Sequence, residues 1–116
     1  MGGITNKEKE IIIKHNPIFN NITRLLNEFE ENINQLEKEE FDSFEQLNSL
    51  DLKNKIEKCE NEINDELINL RMKIKKNFNS KDYNKDEKDL NNISNRTQNL
   101  YSRKSEVIKN KIKPNE

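Results

Sequence analysis

The side chains able to do chemistry in these 116 residues are few and scattered. Cys59 is the only cysteine and His15 the only histidine, far apart along the chain. A reactive cysteine wants a basic neighbourhood and an imidazole to take its proton. Cys59 has only Lys58 beside it, pointing elsewhere from any helix that carries both. The expectation is therefore a buried, reduced thiol. Metal ligation needs clustered His, Cys or carboxylate, and one His with one Cys does not supply it. A phosphate cradle needs glycines at fixed spacing, and the only two are Gly2 and Gly3. The carboxylate pairs Glu30/Glu31 and Glu39/Glu40 sit within charged runs and read as solvated helix faces. Asn21-Ile22-Thr23, Asn92-Ile93-Ser94 and Asn95-Arg96-Thr97 match the glycosylation sequon. In a chain with 21 asparagines and no signal peptide, chance accounts for all three. Neither an enzyme nor a cofactor or metal site is expected.

Charge narrows the partners. The net charge is −1, so no global field draws the chain to nucleic acid or membrane. The distribution is uneven: Glu28 to Glu66 holds fourteen acidic and four basic residues, Leu67 to Lys113 thirteen basic and five acidic. The simplest reading is an internal match between helices; the rival is a basic surface for a partner or for anionic lipid. Basic residues near the C-terminus lack interleaved exposed aromatics, Tyr101 aside, so nucleic acid is not an expected partner. Hydrophobic residues make up only 30% and charged residues 37%, with a mean hydropathy of −1.18. Such values border on disorder, but the apolar residues are periodic. The longest apolar run, Ile11 to Ile13, is too short to span a bilayer, and a soluble chain is expected. The heavy use of asparagine, a poor helix former, reads as coding bias without functional content. Residues 1–15 read as a tail or a short helix, with Ile11 to Ile13 able to touch the fold. The myristoylation pattern fails at Asn6, where Ser or Thr is required.

Three elements must carry whatever function there is. Leu52, Ile56, Cys59, Ile63, Leu67, Leu70, Ile74 and Phe78 recur in steps of three and four. That spacing is one stripe down a helix, with Ile68 beside it and Met72 between. Asn16-Pro17 is a helix start, an Asn cap with proline at the first position. Ile22, Leu26, Phe29, Ile33 and Leu36 follow as a stripe that Ile18, Phe19 and Leu25 widen. Ser43 and Gln46 make a capping box, so the central helix begins between Phe44 and Leu50. After a turn at Asn79 to Asn84, with Asn84 and Glu87 as a further cap pair, Leu90, Ile93, Thr97, Leu100, Lys104, Val107 and Lys111 keep the same spacing, with Tyr101, Ile108 and Ile112 alongside, stopping before Pro114. The fold class that follows is all-α, an antiparallel up-down-up three-helix bundle over 16–113 with helices at about 17–39, 44–78 and 85–112. That topology sets the acidic end of the first helix and the acidic start of the second beside Arg96, Arg103, Lys104, Lys109, Lys111 and Lys113. The expected core includes Ile22, Phe29, Ile33, Ile56, Ile63, Leu70, Leu90, Leu100 and Val107.

The order of these features resembles the N-terminal domain of the syntaxin 6-like (Qc-type) SNARE proteins. Asn16-Pro17-Ile18-Phe19 is similar to the Asp-Pro-Phe-Phe that opens that family's first helix. Asp51-Leu52-Lys53-Asn54-Lys55-Ile56, then Glu60, Ile63 and Asp65, resembles its second helix. Asn79-Ser80-Lys81-Asp82-Tyr83-Asn84-Lys85-Asp86, then Asp89-Leu90, resembles its second turn and third-helix start. Asn61 replaces a tryptophan of the family, Ser80 the proline of the turn, and Ile93-Ser94 a basic pair. The resemblance implies a regulatory protein-interaction domain in vesicle trafficking and membrane fusion at the trans-Golgi and endosomes. It also implies other SNARE proteins or tethering factors as partners, a location on the cytoplasmic face of those membranes, and membrane attachment only through a C-terminal anchor outside this chain. The alternative is an unrelated helical-bundle or coiled-coil adaptor, or a chaperone-like binding protein, in the cytoplasm. In either case the domain itself is expected to be a monomer. Partner binding then needs apolar residues left over after the bundle closes. Ile18, Phe19, Leu25, Ile68 and Tyr101 are the candidates for a groove between two helices, unless they only widen the core.

Overall fold

The computed structural model describes residues 17–112, and these are all-helical, with no strand among the described residues. A single 3-10 turn, Pro17–Phe19, leads into α1 (Asn20–Lys38); α2 (Phe44–Asn48), α3 (Asp51–Lys76) and α4 (Tyr83–Lys111) follow. The radius of gyration, 16.8 Å, exceeds the roughly 13 Å of a compact globule of this length, as long helices side by side require.

Each long helix forms because its apolar residues recur on one face, and each of those faces is buried. α1 buries Ile22, Leu25, Leu26, Phe29, Ile33 and Leu36. α3 buries Leu52, Ile56, Cys59, Ile63, Leu67, Leu70 and Ile74. α4 buries Leu90, Thr97, Leu100 and Val107. Thr97, the one buried polar side chain among the described residues, is satisfied within its own helix: its hydroxyl donates to the Ile93 carbonyl at 2.8 Å. All nine residues expected in the core are buried.

The side chains joining the helices fix their neighbours along the length. Between α1 and α3, Asn21 Nδ2 donates to Glu66 at 3.0 Å, and the Cys59 thiol donates to the Leu25 carbonyl at 3.3 Å. Between α1 and α4, Arg96 donates to Asn27 at 2.7 Å and Arg103 to Glu37 at 2.6 Å, with Asn34 accepting from the same guanidinium. Between α3 and α4, the Tyr101 hydroxyl donates to Asn64 at 2.9 Å and Lys104 pairs with Glu60.

Element boundaries differ from the sequence reading in several places. The central helix does not run unbroken from residue 44. Leu50 is extended (φ −80°, ψ 134°) and separates α2 from α3. The reason is phase: Leu47 and Leu52 are both buried, yet five residues put them about 140° apart on a continuous helix, so a break must bring both inward. Half of the capping box forms at α2: Ser43 Oγ accepts from the Gln46 amide at 3.1 Å, while Gln46 Oε1 accepts from the Asp42 amide at 2.8 Å, one residue before the cap. At the far end α3 stops at Lys76, and Asn77 Nδ2 returns to the Lys73 carbonyl at 3.0 Å. Phe78, expected to close the stripe, has left the helix and is 64% exposed. Then α4 begins at Tyr83, two residues before 85, through a turn in which the Ser80 amide donates to Asn77 at 2.8 Å and the Ser80 hydroxyl accepts from the Asp82 amide at 3.2 Å. The Asn84–Glu87 cap is replaced: Glu87 accepts the Tyr83 hydroxyl at 2.8 Å. The α-helix of α1 begins at Asn20, with Pro17 in the preceding 3-10 turn; the proposed cap Asn16, the 1–15 segment, Lys113 and Pro114 lie outside the described residues.

Candidate interaction surface

The five residues expected to line a groove do not come together. Phe19 and Leu25 are buried in the core at 2% exposure each, because α1 carries apolar residues at both 25 and 26 and packs both of them inward. They widen the core and offer no surface. Ile18 and Ile68 are exposed. Ile68 is not beside the stripe of α3: at 100° per residue it stands about 140° from the stripe's centre, and Met72 about 180°. Tyr101 is half-buried, its ring edge-on to Phe29 with centroids 5.5 Å apart and its hydroxyl held by Asn64. Burial, then the charge of Glu60 and the neighbouring Cys59, pushes its phenol up to about 12.

The same packing settles Cys59. It is buried, its thiol engaged with the Leu25 carbonyl. Burial, reinforced by Glu28, Glu62 and Glu60 and only partly opposed by Arg24, pushes the thiol up to about 11. A thiol held that far above neutrality has almost no thiolate and is a poor nucleophile. Among the described residues no three His, Cys, Asp or Glu side chains converge where a metal could sit. An open depression lies between the end of α1 and α4, lined by Glu37, Arg103, Glu106, Val107, Asn110 and Lys111. Val107 is its only apolar wall, and Arg103 is already tied to Glu37.

The uneven charge is matched internally only in part, by three interhelical ion pairs between α4 and the acidic half of the chain. Arg96 approaches Glu30 at 3.5 Å, Arg103 meets Glu37, and Lys104 meets Glu60. Lys111 donates to the Glu39 carbonyl at 2.6 Å, one of the carbonyls that the end of α1 leaves open, and stands 5.4 Å above the Phe41 ring. These pairs remove most of α4's cations from any external role.

One feature escaped the sequence reading, and another was read there only as residues alongside the stripe of α4. Asparagine is not silent: Asn21, Asn27, Asn34 and Asn64 each hold another helix. Their signal was the coincidence of Asn with helix-flanking positions, which the overall abundance of Asn hides. The second is a strip along α4. Tyr101 and Ile108 are seven residues apart and share a face, and the bond from Tyr101 to Asn64 turns that face toward α3. Ile108, with Ile112 one turn on, packs against the core yet stays partly exposed. The strip lies where Tyr101 meets α3 and is partly open to solvent. No protein-family model, curated protein or solved structure matches the chain. No described helix is long and apolar enough to cross a membrane.

Proposed function

We propose that the chain is a non-catalytic protein-interaction domain built as an antiparallel up-down-up three-helix bundle. We further propose that it acts as the regulatory N-terminal domain of a syntaxin 6-like SNARE. The observation that supports the topology is the order of the bridging pairs. Asn21 with Glu66 and Leu25 with Cys59 run in opposite senses along α1 and α3; Asn27 with Arg96 and Glu37 with Arg103 run in the same sense along α1 and α4. The functional reading is supported by what such a bundle leaves over: side chains satisfied within the fold and an apolar strip, Tyr101, Ile108 and Ile112, at the seam of two helices. An amphipathic helix laid there would bury i, i+3, i+4 anchors against the strip. Its source would be a SNARE segment or a tethering factor at the cytoplasmic face of Golgi or endosomal membranes.

Calorimetric titration with a heptad peptide of SNARE type, carrying a central glutamine, tests this. Saturable binding by the wild-type chain, lost in an Ile108→Asp, Ile112→Asp variant that keeps its helical circular dichroism, is the expected result. Absence of binding by the wild type rejects the SNARE reading and leaves an unrelated helical adaptor.

A further inference from the structure

We propose that the end of the molecule where α3 stops is a docking surface for an anionic lipid bilayer. Three large apolar side chains stand in solvent there: Ile68 and Met72 on the outward face of α3, and Phe78 in the turn beyond it, 53%, 55% and 64% exposed. Five cations accompany them, Arg71, Lys73, Lys75, Lys76 and Lys81, and residues 67–81 contain no acidic side chain. None of the five forms an ion pair among the described residues, in contrast to Arg96, Arg103 and Lys104 of α4. The first turns of α4 carry Asp82, Asp86, Glu87 and Asp89 alongside Lys85 and Lys88, so the neighbouring helix does not extend the cationic patch. The nearest carboxylates of α3 are Asp65 and Glu66, about 8 to 9 Å before Arg71 along the helix axis, and Glu66 accepts a hydrogen bond from Asn21 of α1.

Fold requirements account for only part of this arrangement. Cations in the last turn of a helix favour its negative end, which explains Lys73, Lys75 and Lys76. It does not explain Lys81, or why Met72 and Phe78 face water while the stripe of α3 is complete at Ile74.

The charge and the shape together select the occupant. A second copy or an acidic helix would require a groove, and these side chains project from the convex side of a helix and from a turn. Four of the five cations are lysine, point charges suited to a diffuse anionic surface rather than to the forked pairing with carboxylate that arginine gives. The chain's own residues 1–16 hold three Lys and two Glu, so charge gives them no preference for a cationic patch. Apolar side chains ringed by lysines with long aliphatic stems fit the boundary between headgroups and acyl chains. The contact is a peripheral one, additional to any anchor. It stands apart from the strip on α4, so calorimetry with the heptad peptide and partition into vesicles can fail independently.

The chain has no tryptophan, so Phe78→Trp introduces a single reporter at an exposed position. The 116-residue chain is mixed with vesicles of phosphatidylcholine alone or with about 30% phosphatidylserine, and partition and indole emission are read together. Expected are a blue shift and partition with phosphatidylserine only, weakened by added salt. Lys75→Glu with Lys76→Glu should lower the partition coefficient at least about thirtyfold, whereas Lys109→Glu at the opposite end of α4 leaves it unchanged. Equal partition into both vesicle types, or an equal loss with Lys109→Glu, overturns the proposal. So does an emission already blue-shifted without vesicles, since the chain itself then covers the site. Binding to polyglutamate or concentration-dependent self-association, with no partition into vesicles, overturns it in favour of a protein partner.

Discussion

Ile63→Ala against Met72→Ala separates the two faces of α3 in a single experiment. Ile63 is fully buried midway along the helix, and Met72, nine residues on, is more than half exposed. Truncating Ile63 removes three carbons, about 2.4 kcal/mol at about 0.8 kcal/mol per methylene. The cavity left between three helices raises the cost toward the upper part of the 2–5 kcal/mol range for such changes. Met72→Ala removes little buried surface and should stay within about 0.5 kcal/mol. Urea unfolding followed by circular dichroism reads both. With m about 1.5 kcal/mol/M, a 3 kcal/mol loss lowers the midpoint by about 2 M, against a few tenths of a molar for Met72→Ala. A loss below about 1 kcal/mol for Ile63→Ala, or equal losses for the two variants, would refute the packing of α3 described above.

Other expectations concern single groups. Cys59 should resist thiol reagents in the native protein; rapid labelling would mean that α1 and α3 do not close over it. Its thiol is held near 11 against 9.0 when free. Between pH 9 and 11 the unfolded chain therefore loses a proton that the native one keeps, and stability falls as pH rises through that window. The loss is on the order of 2–3 kcal/mol at most, and Cys59→Ala should remove it from a pH series of unfolding midpoints. Arg103→Ala should cost no more than about 1 kcal/mol, because Arg103 and Glu37 are both partly solvated, and the cost should shrink in high salt. Ser43→Ala removes the cap of α2 and should cost about 1 kcal/mol, seen as faster amide exchange across 44–48.

Periodicity made the three long elements legible because each helix has one buried face and little else apolar. The core positions followed from it: every buried residue of α3 was a member of its stripe. Boundaries were less legible. Ser49 and Leu50 carry no proline or glycine, and the break there is visible only as a phase slip between Leu47 and Leu52. Phe78 kept the spacing of the stripe after the helix had ended, since periodicity continues on paper where backbone hydrogen bonding does not. The surface was hardest to read. Phe19 and Leu25 lie only about 60° from the centre of the α1 stripe and are core, whereas Ile68 lies about 140° from the centre of the α3 stripe and is exposed. Spacing of three and four alone does not separate these cases; the angle of each residue from the stripe's centre does. Cations on α4 and at the end of α3 are likewise indistinguishable by composition, and only the folded arrangement separates those with a partner from those without.

Both proposed surfaces depend on the order of the helices, which spin-label distances test most directly. In a Cys59→Ser background, labels are placed at Asn21 with Glu66 and at Glu37 with Arg103, then at Asn21 with Lys53 and at Glu37 with Lys88. Expected is a short distance for the first two pairs, with the last two longer by about 20 Å, the rise of 13 to 15 helical residues. A short Asn21–Lys53 or Glu37–Lys88 distance with a long counterpart would reverse a helix and contradict the up-down-up arrangement.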